Sequence, residues 1–138
     1  MFPNFLPTAV GQLTEPTSIA LARSIQTTAI ATPLTNQPVT TTFVKQGCGR
    51  TPILLIHGFD SSVLEFRRLL PLLSGDNETW AVDLLGFGFT DRLSGIAYSP
   101  TAIKTHLNTA RLRKRKGKTK KTLFAYDLRE QDEIIQLT

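Results

Sequence analysis

The residues ILLIHG at positions 53–58 constrain the fold of this chain more than any other segment. Four branched apolar residues in succession, with no polar alternation, are typical of a strand buried on both faces of a parallel sheet. A second such segment, TWAVD, follows at 79–83. Because the residues between them have the apolar spacing of a helix, positions 51–83 predict one strand–helix–strand unit of a parallel α/β fold.

The connecting helix is predicted near residues 62–73. Ser62 and Glu65 have the spacing of a capping box at its start. Pro71 should end or bend it near the last turn, because proline lacks an N–H group. The side chains expected to face inward are Val63, Phe66, Leu70 and Leu73.

Elements on either side extend this unit to residues 39–107. The β-branched and aromatic segment VTTTFV at 39–44 predicts an antiparallel strand. The segment SPTAIKTHL predicts a helix near 99–107, with Ser99 as its cap and Pro100 at its first position.

Residues 1–38 are expected to form an N-terminal arm with one short helix between Pro16 and Pro33. Apolar residues between these prolines, including Ile25 and Ala29, fall near helical spacing. The arm is expected to pack on the α/β domain.

Residues 108–138 differ in charge from the rest of the chain. Residues 1–107 hold seven basic and seven acidic residues, whereas 108–138 hold nine basic and four acidic, which accounts for the whole formal net charge of +5. The segment RLRKRKGKTKK at 111–121 has eight basic residues in eleven. Like-charge repulsion at that density opposes compaction, so we predict a disordered basic tail.

The basic tail also supports an alternative to an enzyme. A non-enzymatic protein could use such a tail to bind nucleic acid or an anionic surface by neutralising phosphates. No aromatic residues interleave positions 111–121 for base stacking, so no specific nucleic-acid partner is expected. Binding of the isolated tail to DNA that does not weaken between about 50 and 200 mM salt would contradict an electrostatic arm.

The turn after the first buried strand suggests chemistry. Ligands of open parallel sheets bind beyond the carboxyl ends of the strands, where His57, Gly58, Phe59 and Asp60 lie. Gly58 permits a sharp reversal, which leaves the N–H of Phe59 directed into the crevice. A preorganised N–H group there can stabilise an oxyanion.

Two motifs resemble the opening of the α/β-hydrolase family. One strand ends in His-Gly-X, here HGF at 57–59, and the next ends in Asp-X-X-Gly-X-Gly-X-Ser/Thr, here DLLGFGFT at 83–90. The form HGFDSS is similar to hydrolases of cyanobacteria and plant chloroplasts. The resemblance covers residues 39–107 and implies the incomplete, N-terminal part of an α/β-hydrolase sheet. It also implies an ester-like small-molecule substrate and hydrolysis through a covalent intermediate, without metal or cofactor.

The same resemblance implies roles for single residues. Gly58 and Phe59 would form the oxyanion-hole turn, with a second amide supplied by the residue after the nucleophile. His57 is expected to brace the loop, and Asp60 either faces the pocket or caps the following helix. The residues expected to shape the second loop are Asp83, Gly86, Gly88 and Thr90.

The sequence lacks the remaining catalytic groups. The family's nucleophile occupies Gly-X-Ser-X-Gly after the next strand, and no serine here has glycine two residues before it. His57 and His106 both precede the expected position of that strand, and His106 is interpreted as a partly exposed helix residue. Cys48, the single cysteine, is interpreted as a bystander in a turn. We therefore expect a truncated or frameshifted hydrolase that is inactive alone.

The sequence also allows expectations about the cellular location and the self-association of the chain. No stretch resembles a signal peptide or approaches the roughly 20 apolar residues of a membrane span, so a cytoplasmic location is expected. An incomplete sheet should leave its last parallel strand with an unpaired edge, which favours self-association.

A dinucleotide-binding domain is a weaker alternative for GFG at 86–88, because Asp91 replaces the third glycine of that motif.

Overall fold

A computed structural model describes residues 1–49 and 52–110 and the backbone of 134–136. Its five strands form one mixed sheet in the order β1-β2-β4-β3-β5. The strands are β1 (Gln26–Ile30), β2 (Val39–Gln46), β3 (Ile53–Ile56), β4 (Thr79–Val82) and β5 (Ile134–Gln136). The helices are α1 (Pro16–Ser24), α2 (Leu69–Leu73) and α3 (Pro100–Ala110), with 3₁₀ helices at Thr8–Gln12 and Val63–Phe66.

The centre of the sheet confirms the predicted strand–helix–strand unit. Strands β3 and β4 are parallel, with Leu55 opposite Ala81. Strand β2 pairs with β4 in the antiparallel direction, as the segment at 39–44 predicts. The carboxyl ends of β3 and β4 therefore lie side by side at one edge of the sheet.

The N-terminal arm contains a strand that the sequence interpretation missed. Helix α1 begins at Pro16 as expected but ends at Ser24, and β1 then pairs antiparallel with β2. The assignment of Ile25 and Ala29 to the helix was therefore wrong. The physical reason is the β-branched content of QTTAI, which favours an extended strand when a partner edge is present.

The segment after residues 57–60 forms two short helices instead of the single one predicted. Ser62 caps the 3₁₀ helix, because its hydroxyl accepts from the N–H of Leu64. The side chain of Glu65 accepts from Ser61 and does not complete a capping box. The interruption before α2 places Pro71 in the first turn of that helix. Proline is tolerated there, because a first-turn N–H has no partner within the helix.

The two faces of the sheet bury different side chains. Alternation along the strands sends Leu55 and Ala81 to one face and Trp80 and Val82 to the other. The first face is covered by the N-terminal arm and by the segment after β3. The buried residues of the arm are Leu6, Val10, Leu21 and Ile25, and those of the segment after β3 are Val63, Phe66 and Leu70. Partly buried residues of α3 pack against the second face.

Helix α3 contains a correction to the sequence interpretation. The hydroxyl of Ser99 accepts from the N–H of Ala102, which confirms the predicted cap. His106, however, has no exposed surface and is not a partly exposed residue. Its Nε2 lies 2.8 Å from the hydroxyl oxygen of Thr41 on β2. The helix turns His106 toward the sheet, a placement that spacing along one helix does not reveal.

The predicted tail at 108–138 is described only in part. Helix α3 continues through residues 108–110, and β5 pairs in parallel with β3. The expectation that the last parallel strand has an unpaired edge was therefore wrong for β3, while self-association stays a prediction. The basic segment at 111–121 lies outside the described residues. Among the described helices, none combines the length and apolar character required to cross a membrane.

Candidate active site

The candidate site lies at the carboxyl ends of β3 and β4. The turn of residues 57–60 follows β3, and the loop that starts at Asp83 follows β4. Because these strands are parallel neighbours, the tertiary structure brings both sequence motifs to one edge of the sheet. This is the edge at which open α/β sheets bind ligands.

His57 connects the two strand ends. Its Nε2 accepts a hydrogen bond from the N–H of Leu84 at 3.0 Å, and its Nδ1 lies 2.7 Å from the carbonyl oxygen of Gly58. An Nε2 that accepts carries no proton, so Nδ1 holds the proton and donates to the carbonyl. Both ring nitrogens are thus used within the protein, while the bracing role of His57 stays a prediction.

Asp83 is the buried anchor of the second loop. Its Oδ1 accepts from the N–H of Val63 at 2.8 Å, and its Oδ2 accepts from the N–H of Phe89 at 3.0 Å. The hydroxyl of Thr42 donates to the same Oδ2. Burial raises the pKa of Asp83, and the three hydrogen bonds oppose this effect. The carboxylate thereby joins β2, the segment after β3 and the loop after β4.

Thr90, the last residue of the motif at 83–90, completes the hydrogen-bond network around Asp83. Its hydroxyl donates to the carbonyl oxygen of Asp83 at 2.9 Å and accepts from the N–H of Thr42 at 3.1 Å. The motif therefore folds back on its own first residue, as expected of a loop-shaping residue. Thr42 was missed by the sequence interpretation, because a threonine in a β-branched strand carries no signal of a partner 41 residues away.

The two motif glycines occupy positions that exclude a side chain. Gly86 has a φ of +81°, and a Cβ atom there would lie 2.6 Å from the ring of Tyr98. Gly88 has a φ of +55°, and a Cβ atom there would lie 2.2 Å from the carboxyl group of Asp83. Both positions thus require glycine for backbone conformation and for close approach.

The turn itself presents Phe59 and Asp60 at the surface. Phe59 is 91% exposed, and its N–H makes no hydrogen bond to an acceptor among the described residues. Asp60 has a φ of +55° and is exposed. The cap of the following 3₁₀ helix is Ser62, so Asp60 does not provide that cap.

Other candidate groups lie elsewhere or are not found. His106 lies against Thr41 of β2, and burial lowers its pKa to about 4. Cys48 is exposed and unpaired. Within residues 1–49 and 52–110, no cluster of three or more His, Cys, Asp or Glu residues could hold a metal ion.

Comparison with known families identifies this arrangement. A protein-family model described as the alpha/beta hydrolase fold matches residues 51–128, more than half of the chain. The chain belongs to the α/β-hydrolase family. The match includes both strand ends and both motifs that form the site.

Two curated relatives are similar in sequence to this chain. The chain is 40% identical over 96 residues to the alpha/beta hydrolase domain-containing protein VTE7 of Arabidopsis thaliana, covering 65% of this chain and 29% of that protein. It is 44% identical over 59 residues to the putative hydrolase LipZ of Mycobacterium tuberculosis, covering 41% of this chain and 20% of that protein.

A solved esterase structure is also similar. The thermophilic esterase of Thermogutta terrifontis matches with a TM-score of 0.54 and 26% identity, over 61% of this chain and 30% of that one. The chain therefore spans less than a third of the length of each of these proteins.

Proposed function

We propose that these residues form the oxyanion-hole part of a hydrolase that cleaves ester-type bonds in small molecules. The observation that carries this proposal is the N–H of Phe59, which lies beyond the end of β3 without an acceptor among the described residues. A preorganised donor of this kind contributes about 10²–10³ in rate. Similarity to a thermophilic esterase supports an ester-type substrate.

The groups around Phe59 support a fixed donor. His57 holds the carbonyl of Gly58 at one end of the turn, and Asp83 holds the N–H of Val63 at the other. Both side chains are buried, and the bond from Val63 to Asp83 is shielded from water, which strengthens it. The donor therefore undergoes little reorganisation when negative charge develops on a substrate oxygen.

The nucleophile is the missing element of this proposal. The 138 residues contain no Gly-X-Ser-X-Gly, and His57 uses both ring nitrogens within the loop. An oxyanion donor without a nucleophile and base stabilises no intermediate. We therefore expect these residues alone to be catalytically inactive.

Ester turnover tests this expectation. The purified chain is assayed with p-nitrophenyl acetate beside Phe59→Pro, which removes the N–H, and Phe59→Ala, which retains it. We expect no turnover by any of the three. Turnover that Phe59→Ala retains and Phe59→Pro loses would contradict the inactivity and support the oxyanion role, whereas turnover unaffected by Phe59→Pro would contradict that role.

The donor role is tested without turnover by titrating the ¹⁵N-labelled chain with 2-butanone. We expect a downfield proton shift of the Phe59 amide as the ketone oxygen accepts from it. The amide of Leu55 in the middle of β3 serves as the control and should not move. An unchanged Phe59 amide would refute the proposed donor.

A further inference from the structure

We propose that Thr42 is a positioning residue that fixes the segment of residues 57–62 through the carboxylate of Asp83. Thr42 lies on β2, and its hydroxyl donates to Oδ2 of Asp83. Oδ1 of the same carboxylate accepts from the N–H of Val63, the residue that directly follows the segment. The inference rests on the proposed donor role of Phe59 within this segment, and it adds a residue from another strand on which the place of that donor depends.

Both ends of the segment are bonded to residues that directly follow β4. At its start, Nε2 of His57 accepts from the N–H of Leu84 at 3.0 Å. At its end, the N–H of Val63 donates to Oδ1 of Asp83 at 2.8 Å. His57, Val63 and Asp83 are all buried. The position of the end of the segment therefore depends on the direction in which Oδ1 of Asp83 points.

The second oxygen of the carboxylate determines this direction. Oδ2 accepts from the hydroxyl of Thr42 and from the N–H of Phe89. Phe89 belongs to the loop that begins with Asp83, whereas Thr42 belongs to a strand of the sheet. The carbonyl of Thr42 accepts from the N–H of Asp83 at 3.0 Å, and its N–H donates to the hydroxyl oxygen of Thr90 at 3.1 Å. Thr42 is therefore the donor to Oδ2 that the sheet holds in place.

The hydroxyl of Thr42 also favours the ionised form of Asp83. Burial raises the pKa of this carboxyl, and the hydrogen bond from Thr42 is the largest of the effects that lower it. Among the described residues, the titratable group that acts on the carboxyl is His57, whose Nε2 lies 3.9 Å from Oδ1. An ionised carboxylate only accepts hydrogen bonds, whereas a protonated one also donates. Without the Thr42 hydroxyl, Asp83 should take up a proton at a higher pH and hold the N–H of Val63 less tightly.

Thr41 provides a matched control on the same strand. It is also buried, but successive residues of a strand point to opposite faces of the sheet, and its hydroxyl oxygen lies 2.8 Å from Nε2 of His106. Thr41→Val therefore removes a buried hydroxyl from β2 without removing a donor to Asp83. Thr42→Val removes that donor at nearly constant volume, and Thr42→Ser restores a hydroxyl at the same position.

NMR of the full chain, labelled with ¹³C and ¹⁵N, measures the effect of these variants. We expect Thr42→Val to raise the pKa of Asp83, followed at its carboxyl carbon, and to accelerate hydrogen exchange of the Val63 amide by about tenfold, the size of one hydrogen bond to a charged group. Thr42→Ser and Thr41→Val should both stay close to the wild type. Wild-type values in Thr42→Val, or equal changes in Thr41→Val, would overturn the proposal.

The wild type provides a second measurement that does not require Thr42→Val to fold. As the pH falls, the amides of Val63 and Phe59 should shift with the same midpoint as the carboxyl carbon of Asp83. The amide of Leu55 in the middle of β3 should not follow this midpoint. A Phe59 amide that keeps its chemical shift while Asp83 takes up a proton would show that the carboxylate does not position the donor, and it would overturn the role of Thr42.

Titration with 2-butanone separates this inference from the proposed function. We expect the ketone to move the Phe59 amide of the wild type and of Thr42→Ser, and to bind Thr42→Val up to about tenfold more weakly. If the ketone binds the wild type and Thr42→Val equally tightly, the donor stands and the positioning role of Thr42 fails. If the ketone leaves the Phe59 amide of the wild type unmoved, the donor itself fails, and Thr42 then positions no functional group.

Discussion

His57 accepts a hydrogen bond from the N–H of Leu84 at 3.0 Å and thereby joins the ends of two parallel strands. The histidine belongs to the first family motif, and Leu84 directly follows the first residue of the second. The hydrogen bond joins the two motifs through residues that are 27 positions apart in the sequence. Both nitrogens of the imidazole have partners within the protein.

Replacing His57 tests this bracing function. His57→Ala should lower the free energy of unfolding by about 2–4 kcal/mol, because it leaves a cavity and a buried N–H without an acceptor. His57→Gln, which can still accept from Leu84, should recover part of the loss. Urea unfolding measures the stability, and hydrogen exchange at the Leu84 amide reports the bond. Equal stability of the Ala and Gln variants would contradict the role of this hydrogen bond.

Gly88→Ala tests the close approach to Asp83. The added Cβ would lie 2.2 Å from the carboxyl group at a φ of +55°, so we expect a loss of about 3 kcal/mol or more. Gly95→Ala is the control, since Gly95 has a φ of +76° but no atom within 4 Å of a Cβ. That variant should lose only the conformational cost of about 1–2 kcal/mol. Similar denaturant midpoints for both variants would show that the contact with Asp83 is not tight.

We expect the free energy of unfolding to depend on pH because of His106. Burial lowers its pKa to about 4 from an ordinary value of 6.5, so the unfolded chain binds a proton first as the pH falls. Above pH 6.5 the protonation of His106 does not reduce the free energy of unfolding. Between pH 6.5 and 4 the free energy of unfolding falls by about 3 kcal/mol. Denaturant unfolding of the wild type and His106→Gln across this range isolates the effect. A constant difference between the two proteins would refute it.

We expect Glu15 to stabilise the folded chain even at acidic pH. Hydrogen bonds from Arg67 and then Arg68 lower the pKa of Glu15 to about 2, below its ordinary value of 4.5. Stability from this carboxylate is therefore present above pH 4.5, and it is lost only as the pH falls toward 2. The difference in melting temperature between the wild type and Glu15→Gln should remain at pH 3.5.

Glu65→Gln is the control for this measurement, because Glu65 is also a glutamate but accepts from a neutral group, the hydroxyl of Ser61. Added salt should reduce the effect of Glu15→Gln, since its partners are cations. A difference that vanishes by pH 4 would contradict the ion pairs with Arg67 and Arg68.

Local patterns in the sequence were sufficient for part of the fold. The continuous apolar residues of β3, the cap at Ser99 and the positions of Pro16 and Pro100 each depend on neighbouring residues, and the structure confirms them. The two motifs likewise indicated the family before any contact was known. Strand β1 was missed because its stability depends on the edge of β2, which is distant in the sequence.

The sequence by itself determined the strand–helix–strand order, the family and the absence of a nucleophile motif, because these are properties of residue type and spacing. Only the tertiary structure decided that Asp83 bonds Thr42 and Val63, that His106 is buried, and that Phe59 meets Phe87. Each of these depends on which strands become neighbours in the sheet. Strand pairing joins residues far apart along the chain, and no local pattern encodes which partner a buried polar group will find.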